Sequence, residues 1–129
     1  MKTFLDFGTL RYFENPYKIV VEIDPEISNY YASLVPKYFR LNKQKFAPHI
    51  SVVRNEVPVK MENWRKHEGI LVPFTYNNEI EYDEAYFWLG AASKELELLR
   101  VNLGLVNVNY VTKTPDGSHN FHITIGNIK

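Results

Sequence analysis

The segment Phe121-His122-Ile123-Thr124-Ile125-Gly126 constrains this chain more than any other. Successive side chains on a strand point to opposite sides, so His122 and Thr124 share one face and Ile123 and Ile125 the other. Strict alternation in a short, β-branched segment predicts a strand. Its apolar face requires a core. Its polar face offers an imidazole and a hydroxyl, two residues apart. Pro48-His49-Ile50-Ser51-Val52-Val53 repeats the arrangement in the first half: His49 and Ser51 on one side, Ile50 and Val52 on the other. The chain must therefore build a sheet that is covered on one side and presents His-x-Ser/Thr twice on the other.

One such motif is a weak signal; two with the same facing, one in each half, are a stronger one. Histidine titrates near neutrality, so two imidazoles in one cleft can divide the work of base and acid. Breaking a phosphodiester needs both: a proton must leave the attacking oxygen, and another must reach the departing one. Ser51 and Thr124 supply short, uncharged donors for the charge that grows on phosphate oxygens. His49, Ser51, His122 and Thr124 are the candidate catalytic residues. Which histidine is base and which acid stays open at this level.

Ala47 to Val52 and His122 to Gly126 resemble the paired motifs of the 2H phosphoesterase superfamily, which carries one His-x-Ser/Thr motif in each of two similar lobes. The resemblance covers about residues 17 to 128. Ala47 to Asn55, Trp88-Leu89, Leu103-Gly104-Leu105 and Gly126-Asn127 are also similar to small phage anti-CBASS nucleases, which degrade the cyclic oligonucleotide signals of bacterial immunity. The resemblance implies a metal-independent phosphodiesterase cleaving 3′–5′ linkages of cyclic oligonucleotide second messengers, in viral evasion of that immunity. It implies an adenine-containing substrate; in such a ring the ribose 2′-hydroxyl beside each scissile phosphate is the expected nucleophile. A 2′,3′-cyclic phosphodiesterase acting on RNA ends, a nucleotide-binding sponge without turnover, and an interaction protein with incidental histidines are the alternatives.

Composition narrows the partner. Fifteen basic and fifteen acidic residues balance to zero. A protein that tracks long nucleic acid carries a basic field, so a small or short ligand, a cyclic di- or oligonucleotide or a short RNA, is expected instead. The chain is rich in Tyr and Phe, and rings can stack on bases. Tyr12 and Trp88, each in a candidate strand, are the candidate substrate-binding rings, with a core role for Trp88 as the competing reading. There is no cysteine, which excludes disulfides, thiol nucleophiles and zinc-thiolate sites. A metal site could be sought in His119, His122 and Asp116. A strand, however, sets residues 119 and 122 on opposite faces, so no metal and no cofactor are expected. The first ten residues lack a long apolar run and no stretch approaches a membrane span. A cytoplasmic location, the host's if phage-encoded, is the expectation.

Read in order, Gly8 to Phe13 fits a short edge strand, Asn15-Pro16 a turn and Tyr17 to Ile23 a strand. Asp24-Pro25 starts a helix to about Val35, with Ile27, Tyr30, Tyr31 and Leu34 on one face and Pro36 ending it. Lys37, Arg40, Lys43 and Lys45 read as a solvated loop, or as a phosphate-attracting rim. Phe46 to Arg54 is the first motif strand. By alternation Arg54 points away from His49 unless a bulge re-aims it. Met61 to Glu68 fits a short helix closed by Gly69, with His67 at the surface. Ile70 to Tyr76, broken by Pro73, fits an edge strand. Asn77-Asn78 fits a turn, and Ile80 to Tyr82 and Ala85 to Leu89 short strands. Ser93 caps a helix from Lys94 to about Leu103, with Leu96, Leu99 and Leu103 at core spacing and Gly104 at its end. Val106 to Thr112 reads as a strand and residues 114–118 as a hairpin turn. The expected fold is one α+β domain over residues 1–129, a two-lobed 2H phosphoesterase-like fold. Antiparallel sheets would carry helices on their outer faces and meet at a central cleft.

Overall fold

The computed structural model describes residues 2–42, 44–105 and 121–128 of the 129. Six strands, β1 (Thr3–Phe13), β2 (Lys18–Glu22), β3 (His49–Arg54), β4 (Leu71–Tyr82), β5 (Tyr86–Ala92) and β6 (Phe121–Asn127), are joined by two short helices, α1 (Pro25–Leu34) and α2 (Lys94–Asn102). The strands close in the order β1-β2-β3-β6-β5-β4, and every neighbouring pair is antiparallel. The molecule is a mostly β, closed six-stranded barrel. This corrects the expected two-lobed α+β fold: no pair of lobes flanks a central cleft.

Strand β1 makes the difference. It runs 11 residues, where the sequence suggested a short edge. Its first part, Thr3 to Thr9, pairs with β4, and its last part, Thr9 to Phe13, with β2. One strand thus stitches the two halves together. Gly8 sits at the changeover. A Cβ there would collide with the Val21 side chain and come within 2.6 Å of the Glu22 carbonyl oxygen. Only glycine permits so close a crossing, the usual use of glycine where a closed sheet turns a corner.

Strand β4 is the second departure. Leu71–Tyr82 is one 12-residue strand that carries Pro73 opposite Phe7 and passes through Asn77-Asn78. A register shift between Tyr76 and Ile80 absorbs the two asparagines, so a bulge stands where a turn was expected. Met61 to Asn63 is a single 3₁₀ turn rather than a longer helix. Gly69, at φ +83°, takes the left-handed backbone expected of it. Residues 106–112 and 114–118, read as a strand and a hairpin turn, lie outside the described residues.

The helix ends follow the sequence closely. The Asp24 carboxylate accepts from the Glu26 N–H at the start of α1, and the Ser93 hydroxyl accepts from the Leu96 N–H at the start of α2. On α1, Ile27 and Tyr31 are buried, whereas Tyr30 and Leu34 face solvent. The core joins the inward faces of all six strands to Ile27 and Tyr31 of α1, Leu96 and Leu99 of α2, and Leu103 just past its end. Leu10, Val21, Ile50, Ile123 and Leu89 are all fully buried and follow one another around the barrel. No helix among the described residues is long and apolar enough to cross a membrane.

Candidate active site

The two motifs come together because β3 and β6 are neighbours. Ile50 stands opposite Ile123. In an antiparallel pair this register sets His49 across from Thr124 and Ser51 across from His122. Ile50 and Ile123 point into the core, so all four polar side chains lie on the opposite, outer face. Directly opposed residues on one face have Cβ atoms about 4.5–5.5 Å apart. Each imidazole therefore stands beside the hydroxyl of the other motif, and the four groups form one patch on adjoining strands instead of lining two walls of a cleft.

The two rings are held differently. His49 Nδ1 lies 2.9 Å from the Ala47 carbonyl oxygen. A carbonyl only accepts, so Nδ1 carries the hydrogen and Nε2 is left to face a reactant. His122 has its pKa lowered to about 4, first by burial, then by the positive charges of Arg54 and His49. At neutral pH its imidazole is uncharged.

Arg54 belongs to this face. The register of β2 and β3 slips so that Val20 faces Ser51 but Ile19 faces Val53, leaving Val52 as the extra residue of a bulge. Val52 and Val53 are both buried, and Arg54 emerges on the side of His49 and Ser51. Arg100 of α2, only 2% exposed, donates to the Val52 carbonyl oxygen at 2.8 Å and forms a two-pronged pair with Glu56 at 2.7 and 2.8 Å. A buried guanidinium held this way ties the bulge to the helix. The sequence did carry a signal: two consecutive apolar residues before Arg54 break the alternation.

A pocket of about 610 Å³ opens beside His49 and Ser51, lined also by Lys18, Glu22, Phe46 and Arg54. Glu22 stands opposite His49 and is paired with Arg11 at 3.0 Å. On the other flank, Trp88 of β5 stands opposite Thr124 and, on its other side, opposite Glu81. Trp88 Nε1 and Glu81 Oε2 are buried without a hydrogen-bond partner among the described residues. The structure thus brings Trp88 to the four catalytic candidates. It does not bring Tyr12, which is 3% exposed in the core, packed edge-on against Trp64 at 5.0 Å. Lys37, Arg40 and Lys45 are exposed and His67 is at the surface; Lys43, Asp116 and His119 lie outside the described residues. Comparison of the chain with protein-family models, with curated proteins and with solved structures finds no match.

Proposed function

We propose that this protein is a phosphodiesterase that cleaves a 3′–5′ linkage of a cyclic oligonucleotide, using two imidazoles and no metal. The observation that carries the reading is the double cross-strand pairing, His49 with Thr124 and Ser51 with His122, on the outer face of the sheet, each side chain half-buried. The motif resemblance to 2H phosphoesterases supports the same chemistry, and that to phage anti-CBASS nucleases supports the substrate class and a role in viral evasion. Both rest on the side chains, not on the fold.

In such a ring each scissile phosphate has a ribose 2′-hydroxyl beside it. An attacking oxygen already held near phosphorus lowers the barrier by several kcal/mol. His122, uncharged at neutral pH, takes the 2′-hydroxyl proton as the bond from O2′ to phosphorus forms. Protonated His49 delivers the Nε2 proton to O5′ as the bond from phosphorus to O5′ breaks. Ser51 and Thr124 donate to the non-bridging oxygens. The products are a 2′,3′-cyclic phosphate and a free 5′-hydroxyl, and the proton taken up by His122 balances the one given by His49. Trp88, which stands opposite Thr124, offers a ring for the adjoining base.

The test is a turnover assay of purified protein in chelator, with cyclic di- and trinucleotides, 2′,3′-cyclic mononucleotides and short RNA. Many equivalents of cyclic oligonucleotide cleaved per protein support the reading. Uptake of one equivalent without cleavage would make the protein a sponge. Cleavage of 2′,3′-cyclic phosphates alone would make it an RNA-end enzyme, and activity restored only by a divalent ion would reverse the metal-free assignment.

A further inference from the structure

Two cations line the pocket beside the imidazoles without themselves giving or taking a proton in that reaction. Lys18 on β2 stands directly opposite Arg54 on β3. Like charges in directly opposed strand positions repel. Among the described residues neither forms an ion pair with a carboxylate. Glu22, the carboxylate among the residues lining the pocket, is already taken by Arg11. The Lys18 ammonium is held over the rings of Phe13 and Phe46, 5.0 and 6.0 Å from their centroids. Arg54 is turned to the same side by the bulge that Arg100 braces. Both cations line the pocket that His49 and Ser51 share. A pair of cations built toward one pocket, with no acidic partner among the described residues, is the arrangement that an anionic ligand completes.

We propose that Lys18 and Arg54 form a subsite for a second phosphate of the substrate, one nucleotide unit away from the phosphate held between the imidazoles. The inference rests on the phosphodiesterase reading above and narrows its substrate class. Lys18 lies on β2, on the far side of β3 from β6, so the cationic pair leads outward from the reacting centre. At about 610 Å³ the pocket has room for a nucleotide unit, far more than one phosphate fills. A linear or cyclic oligonucleotide with at least two phosphates satisfies both sites. A 2′,3′-cyclic mononucleotide satisfies only one.

The probes are the diribonucleotide ApA, with a single internal phosphate, and the same dinucleotide with an added 5′- or 3′-phosphate. For each, kcat/KM and the equilibrium Kd are measured in chelator. The wild-type protein should favour one of the phosphate-bearing probes over ApA by roughly tenfold or more, as a charge-assisted contact gives. In the double variant Lys18→Gln, Arg54→Gln the ratio should fall to near one, whereas Arg54→Lys should keep part of it. Both side chains are exposed, so folding is not at stake. An equal loss of binding on all probes, read in Kd, would mean that the pair grips the scissile phosphate, and the second subsite would be abandoned. So would a wild-type ratio near one, or a preference that survives in the double variant. If wild-type protein binds these linear probes but cleaves none, the Kd ratios alone decide the subsite, and the turnover assay on cyclic oligonucleotides decides the phosphodiesterase reading.

Discussion

The two motif strands carry the same pattern and give it different surroundings. On β6, burial joins two nearby positive charges to hold His122 well below an ordinary histidine. β3 is bulged at Val52, opens onto a pocket, and fixes His49 through the Ala47 carbonyl. A His-x-Ser/Thr segment decides only which side of the sheet an imidazole faces. The neighbours decide its charge and which nitrogen is free. On the phosphodiesterase reading proposed above, the two copies of one pattern serve as a base and an acid.

The sharpest way to break this comparison is to remove one ring at a time. His49→Ala and His122→Ala should each lower kcat by about 10²–10⁴-fold, with the folded structure retained by circular dichroism. Near wild-type turnover in either variant would end the two-imidazole reading. The hydroxyls come next. Ser51→Ala and Thr124→Ala should each cost about 10²-fold in kcat, as for a single donor to a charged phosphate oxygen. A loss confined to one of them would show that the cross-strand pairs are unequal.

The protonation difference is read in stability rather than in turnover. Folded His122 binds its proton near pH 4, and an unfolded histidine binds it near pH 6.5. Between those values the unfolded chain holds the proton that the folded one refuses. Stability therefore falls as the pH drops through that window, by on the order of 3 kcal/mol for this group. Urea midpoints at pH 7 and pH 4.5 should differ less in His122→Asn than in the wild type. Arg54→Gln removes one lowering charge, so a nuclear magnetic resonance titration should place His122 higher in that variant, by a fraction of a unit. An unmoved His122 would put Arg54 elsewhere.

Local chemistry made much of this legible. Alternation assigned the faces of His49, Ser51, His122 and Thr124, and the caps Asp24 and Ser93 marked both helix starts. The closure of the sheet was not legible, because it depends on which partner β1 takes at each end, a non-local choice that Gly8 permits but does not announce. Pro73 and Asn77-Asn78 argued locally for an edge and a turn. Pairing with β1 and a bulge overrode them. Tyr12 shows the limit of reading one ring in one strand: it lies on the same face as Leu10, and that face is the core.

The most direct measurement compares a cyclic diribonucleotide with its 2′-deoxy counterpart, in chelator, with products followed by mass. Cleavage of the ribo ring alone, giving a linear strand that ends in a 2′,3′-cyclic phosphate, is the predicted result, with the deoxy ring bound but intact. Equal cleavage of both rings would mean that water attacks phosphorus directly, and the assignment of the 2′-hydroxyl proton to His122 would be wrong.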